Sequence, residues 1–189
     1  MKKIRKGQYG YINYQKKVEV LKTVCLFACA FFILAIGFYS TGTKSNLLTV
    51  IAILGMLPAS KSAVGMIMFL RFKTGERSIY DETIQAAKGL PMNYDLVLTT
   101  TQKAYQISSA ACYANTLCGY VENPKTDCAA LEKHISEMLN KNNFKNVTVK
   151  FFDDFKAYTN RLTTMNENLT EHEDQTSDEI FALLQAISI

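Results

Sequence analysis

Thr23–Tyr39 reads TVCLFACAFFILAIGFY, without a charge, and Leu47–Leu70 reads LLTVIAILGMLPASKSAVGMIMFL, interrupted only by Pro58 and Lys61 near its middle. A helix needs roughly 20 residues to cross about 30 Å of hydrocarbon. The first stretch reaches that length with its flanks, as a span over 23–41. The second reaches it as a span over 47–70, with some tilt. Together they predict a transmembrane hairpin. A secretory signal is the competing reading, because a basic region precedes an apolar one. The late start, the length and the second apolar stretch argue against it.

The second stretch leaves its geometry open. A continuous helix must carry Lys61 in the membrane zone, where a charge is costly unless it snorkels, reaches water or pairs. Pro58 removes a backbone donor, which predicts a kinked crossing in preference to two re-entrant pieces. Gly55, Ala59, Ala63 and Ser62 are small enough to admit a neighbouring helix. Lys61, with Pro58, Gly55, Ala59 and Ala63, is therefore a candidate contact for a membrane partner or a lipid. After Gly37, the run Ser40–Thr43 predicts a loosening helix and a turn through Lys44, Ser45 and Asn46.

Charge sets the orientation. Residues 1–22 carry seven basic side chains against Glu19 alone, Lys44 is the sole charge between the spans, and Arg71, Lys73, Arg77 and Lys88 follow them. Basic residues stay on the cytoplasmic side, so both termini are expected there, in a multi-pass protein of the cell membrane. Tyr9, Tyr11, Tyr14 and Tyr39 suit interfacial positions, and Tyr9–Lys22 suits a short helix on the inner surface. The net charge of +4 does not point to nucleic acid, because residues 89–189 hold eight basic and thirteen acidic side chains. A nucleic-acid binder gathers its positive charge on the folded domain.

Beyond Leu70 the pattern is that of a small soluble domain. Ser78–Ala87 predicts a helix with Ile79 and Ile84 inward, closed by Gly89-Leu90-Pro91. Tyr94–Thr100, Tyr105–Ala111 and Asn115–Val121 predict strands. Asp127 opens a helix to about Asn140, with Leu131, Ile135, Met138 and Leu139 on one stripe. Val147–Phe152 reads as a strand and Asp154–Met165 as a helix burying Phe155, Tyr158 and Leu162. The acidic run Asn166–Asp178 predicts a link, and Ser177 or Asp178 a cap on a last amphipathic helix over Glu179–Ser188. The expected fold is an α+β or small α/β soluble domain on an N-terminal two-helix transmembrane hairpin. The divisions fall at 1–22 (basic lead-in), 23–70 (hairpin), 71–165 (domain) and 166–189 (acidic link and terminal helix).

Chemistry is sparsely signalled. Cys112, Cys118 and Cys128 with His134 lack the short paired spacing of a zinc site, and Cys25 and Cys29 suit small apolar fillers in the first span. His134 and His172 suit boundary and surface positions, and Asp153 and Asp154 suit a helix start. Asp95 is the kind of acid that could hold a divalent ion. A nuclease-like site would also need a second acid and a lysine, and no Glu-x-Lys follows on the next strands. Asp95, Cys112, Cys118, Tyr120 and His134 are the candidates for a pocket. Neither a phosphate loop nor a nucleophile elbow occurs, so no metal or cofactor is expected.

The opening KKIRKGQYGYINYQKK, the second span LLTVIAILGMLPASKSAVGMIMF and the tail segments LCGYV and NVTVKFF together resemble small uncharacterised two-span membrane proteins of Gram-positive bacteria. That resemblance implies a topology and brings no activity or catalytic residue. The expected role is a membrane-anchored accessory or scaffold protein whose partners are the bilayer and another membrane protein or a second copy. The alternative is a tethered enzyme or ligand-binding regulatory domain. A third reading has the spans oligomerise into a pore with Lys61 inside.

Overall fold

Two long apolar helices and an eight-element α/β domain make up the chain in this computed structural model, which describes residues 3–42, 47–100, 103–169 and 175–189. They form two units. Ile12–Lys73 is one, and Met1–Tyr11 with Thr74–Ile189 is the other. This division departs from the sequence boundaries, because residues 3–10 belong with the domain and residues 12–22 with the hairpin.

Helix α1 spans Tyr11–Thr41 and helix α2 spans Leu47–Leu70, 31 and 24 residues. At about 1.5 Å per residue they are about 46 and 36 Å long. Both are long and apolar enough to cross a membrane. Of the expected surface helix over Tyr9–Lys22, the part from Tyr11 on is the opening of α1, continuous with the apolar run that follows. Nor does the helix loosen at Gly37, which is buried and helical one turn before the end of α1. The turn expected through Lys44, Ser45 and Asn46 lies outside the described residues.

The two helices pack antiparallel through small side chains. Thr23, Ala30 and Gly37 are buried on α1, seven residues apart, facing Ala52, Ala59 and Ser62 on α2. The Thr23 and Ser62 hydroxyls share a hydrogen bond of 2.9 Å, and a Cβ built on Gly55 would stand 3.9 Å from that of Ala30. Small residues at this spacing let two backbones approach closely. Large side chains point the other way: Phe32 and Leu57 each leave 67% of their surface uncovered. Helix α2 is continuous through Pro58. The ring cannot donate an amide hydrogen to the preceding turn. Two residues on, the Ser60 hydroxyl donates to the Met56 carbonyl at 2.8 Å.

In the domain, helix α3 (Arg77–Ala87) leads into strands β1 (Met92–Thr99), β2 (Ala104–Tyr113) and β3 (Thr116–Tyr120). Helix α4 (Cys128–Lys141), strand β4 (Thr148–Phe152) and helices α5 (Phe155–Glu167) and α6 (Gln175–Ile187) follow. The sheet order is β1-β2-β3-β4, antiparallel except for the parallel β3–β4 pair. Parallel neighbours need a crossover, and α4 supplies it. Asp127 caps α4 by accepting from the Ala130 amide, and Asp154 caps α5 by accepting from Lys156.

Both sheet faces are covered. One buries Ile107, Cys112 and Leu117 under Leu131, Ile135 and Leu139 of α4 and Ile180 and Leu184 of α6. The other buries Ala111, Cys118 and Tyr120 under Tyr158 and Leu162 of α5, with Ala87 of α3. A mixed α+β domain with its sheet between helices is the result. The alternating pleat assigns the faces, since Cys112 pairs with Leu117 and Ala111 with Cys118. Gly119 lies opposite Phe151 in the β3–β4 pair, and its missing side chain makes room for that ring.

Two details differ from expectation. On α3 the inward residues are Thr83 and Ala87 beside Ile79, whereas Ile84 is 44% exposed. Helix α6 begins by Gln175, so Asp178 sits in its first turn and Ser177 is buried within it. The terminal helix docks on the domain, the simplest reading of its apolar face: the Ile189 amide donates to the Val97 carbonyl at 3.0 Å, and the Val97 amide to the Ser188 hydroxyl at 3.1 Å. The link from Asn166 is helical to Glu167, and residues 170–174 lie outside the described residues.

Candidate functional site

The N-terminal strap is the feature that sequence reasoning missed. Residues preceding α1 lie along the outer edge of β1, where Gly7 forms an antiparallel bridge with Tyr94 and accepts its amide hydrogen at 2.8 Å. Gly7 has φ 81°, and any Cβ there would collide with the Asn93 and Gln185 side chains, which are hydrogen-bonded at 3.0 Å. Only glycine meets both demands without strain. The Lys6 ammonium donates to the Ser188 carbonyl at 2.7 Å and to that of Gln185 at 3.3 Å. It thus serves the last carbonyls of α6, where a cation is favoured. Strap and C-terminus share the edge of β1 and cover it against pairing with another chain.

Asp95 sits where the chain leaves the domain and where it returns. Its Oδ2 accepts from the Gly10 amide at 2.8 Å, just before α1, and from the Thr74 hydroxyl at 2.9 Å, just after the second apolar helix. Asp95 is 1% exposed and has φ 52°, a left-handed conformation inside a strand. Such a backbone costs on the order of 1–3 kcal/mol and persists where its surroundings hold it. The Tyr9 hydroxyl adds a third tie, donating to the Gly75 carbonyl at 2.9 Å.

Rings complete the junction. Tyr9 stacks on Tyr80 at 4.1 Å, Tyr80 meets Tyr94 edge-on at 4.8 Å, and the Arg77 guanidinium lies 5.5 and 5.2 Å from the Tyr9 and Tyr80 centroids. Burial pushes the Tyr94 phenol up to about 12. Burial also raises Tyr9, helped by the Asp95 charge and opposed by Arg77. These phenols are neutral at physiological pH. The cavity beneath them, bounded by Tyr9, Tyr80, Tyr94 and Ser109, is about 10 Å³, room for a single water.

The sequence candidates do not converge. Asp95 is bonded to its own chain's strap and return segment. Cys112 lies on the α4/α6 face and Cys118 on the α3/α5 face. Burial pushes the Cys118 thiol up to about 12, which disfavours the thiolate, and its Sγ touches Met165 Sδ at 3.3 Å. Tyr120 shares that face, stacked at 5.7 Å on Tyr158, whose hydroxyl accepts from Ser109 at 3.1 Å. His134 is half-buried on α4. Among the described residues no three His, Cys, Asp or Glu side chains gather to hold a metal, and His172 lies outside them. A surface groove beside Tyr113, Thr116, Arg161 and Asn168 holds about 270 Å³. That is slightly below the usual range for small-molecule sites, roughly 300–1,000 Å³.

In the hairpin, Ala59 is spent on the contact between α1 and α2, Gly55 faces Ala30, and Ala63 is half-buried. Pro58 and Lys61 point outward. The signals that could have found the strap were Gly7 and Gly10 within a basic lead-in, and an acid within an apolar strand. Comparison with protein-family models, with curated proteins and with solved structures returns no match to this chain.

Proposed function

We propose that this chain is a two-span protein of the cell membrane, with both termini cytoplasmic, in which the hairpin anchors an accessory or scaffold domain. The supporting observation is the inverted burial of α1 and α2. Their mutual contact is made of small residues, while Phe31, Phe32, Leu54 and Leu57 face outward. A contiguous apolar surface of this extent calls for a lipid or protein cover. The kinship suggested by the two-span layout, with small membrane proteins of Gram-positive bacteria, is part of the same proposal.

The packing register supports one placement of the bilayer along the hairpin. Thr23 is level with Ser62, and Ala30 with Gly55. Submerging α2 to Leu70 would therefore carry Lys16, Lys17, Glu19 and Lys22 of α1 into hydrocarbon. Lysine and acid insertion costs roughly 2.5–3.5 kcal/mol per residue at the centre of a span, against 0.3–0.6 gained per large apolar residue. On this register Lys22 and Lys61 lie toward the cytoplasmic end of the hairpin, from which their long stems can carry the charges to the hydrocarbon edge.

A scaffold role is favoured over catalysis because Asp95 is engaged by backbone and hydroxyl donors of its own chain, and the buried Cys118 thiol is held protonated. The test is sedimentation of the full-length protein with membranes after an alkaline carbonate wash, plus impermeant-maleimide labelling of a Ser45→Cys variant from outside the cell. Retention in the pellet with external labelling is expected. Release into the supernatant would overturn the anchor, and labelling only from inside would overturn the orientation.

A further inference from the structure

We propose that Lys22 and Lys61 form one binding pair for a phosphate group, that of an anionic lipid headgroup of the inner leaflet. This rests on the membrane reading above and deepens it.

The geometry follows from one hydrogen bond. Thr23 and Ser62 face each other at 2.9 Å across antiparallel helices. In such a pair, one helix turns clockwise and the other counter-clockwise when seen from the same end. The residues immediately preceding two facing positions therefore project to the same side. Those residues are Lys22 and Lys61, so the two cations share one depth and one face. Both are exposed, Lys22 with 56% of its side chain uncovered. The axes of packed helices lie about 8–10 Å apart, closer than the combined reach of two lysine stems. Two ammoniums can converge on a phosphate set between them.

Charge on that face stays net positive. Glu19 is the acid there, 14% exposed, and lies 3.6 Å from Lys22 and 3.3 Å from Gln15 Nε2. It steers Lys22 toward the groove and neutralises one cation. The other is Lys61, in the middle of an apolar helix, where leucine would be the better membrane residue. Its location is accounted for if its partner is a headgroup at the hydrocarbon edge, the depth at which long basic side chains place their charge.

The test uses the full chain in nanodiscs of phosphatidylcholine with and without phosphatidylglycerol, with bound lipid counted by native mass spectrometry. Wild type should retain phosphatidylglycerol over phosphatidylcholine. Lys22→Gln and Lys61→Gln should each weaken that preference about fivefold, and Lys61→Arg should restore it. Equal retention by wild type and the double glutamine variant would overturn the proposal. So would stabilisation by inorganic phosphate matching that by phosphatidylglycerol, which would assign the pair to a free anion. Failure of the pair leaves the protein in the carbonate pellet, whereas failure of the anchor releases it.

Discussion

Leu57 on α2 leaves 67% of its surface uncovered, and Leu117 on β3 leaves none. The same residue type occupies opposite environments in the two units of one chain. In the domain, large side chains fill the space between sheet and helices, and polar ones face out. In the hairpin, Thr23, Ala30, Ala52 and Ala59 are buried, and most large residues, Ile12 and Phe69 apart, are exposed or only partly covered. A water-soluble unit gains by burying bulk, about 25 cal/mol per Å² of apolar surface. Helices in lipid gain nothing from hiding leucine and associate instead by close backbone approach. The comparison teaches that burial pattern, more than composition, separates the two units.

The sharpest way to break this contrast is to truncate one leucine in each unit. Leu117→Ala should cost the domain about 2–5 kcal/mol in urea unfolding followed by circular dichroism. Leu57→Ala should stay within about 0.5 kcal/mol in the same assay. A comparable loss from both would mean that α2 is a protein core helix.

The seam where the chain passes between units comes next. Asp95→Ala removes an acceptor used by Gly10 and Thr74 and puts alanine at φ 52°. Hydrogen bonds to charged groups are worth about 1.5–3 kcal/mol, so a destabilisation of that order is expected. Hydrogen exchange at Gly10 and Tyr94 should accelerate before the rest of the sheet. Asp95→Asn, which keeps an oxygen and tolerates the left-handed backbone, should cost about half as much. Uniform acceleration across the domain would show that the strap is not a separate unit of opening.

Thiols sharpen the comparison without altering stability. Cys25 and Cys29 are exposed on α1, Cys128 is partly exposed, and Cys112 and Cys118 are buried. In a bilayer, an impermeant maleimide offered to the cytoplasmic side should modify Cys128 and spare the other four. Denaturing detergent should open all five. Rapid labelling of Cys25 or Cys29 in the bilayer would place α1 in water.

The smallest effect is alkaline. A phenol with its ordinary value of 10.0 when unfolded and about 12 when folded favours the protonated, folded state. Tyr94 thus contributes stability that is whole below pH 10 and declines as pH rises through 12. In a Tyr158→Phe background, tyrosinate absorbance should show Tyr94 titrating last among the partly buried tyrosines, and adding Tyr94→Phe should abolish the late component. Its survival in that double variant would shift the assignment to another tyrosine, such as Tyr120, which burial also raises.

Much of the domain was legible from local pattern. The stripe Leu131–Ile135–Leu139 and the capping acids Asp127 and Asp154 define helices within a few residues, so their positions follow from chain order alone. Ile84 was misread because two faces of a short helix carry apolar residues, and packing chose the one bearing Thr83. The separation of Cys112 from Cys118 followed from the pleat once the turn between β2 and β3 was known. The strap was invisible because its partners are remote in sequence.

The order of elements, the two apolar runs and the amphipathic faces were determined by the sequence by itself, since each depends on neighbours within a turn or two. Only the tertiary structure decided that Gly10 would meet an acid 85 residues away, that Lys6 would reach the end of α6, and that Thr23 would meet Ser62. Those contacts are selected by how the packed elements fit, and the free energy of that fit resides in no single segment.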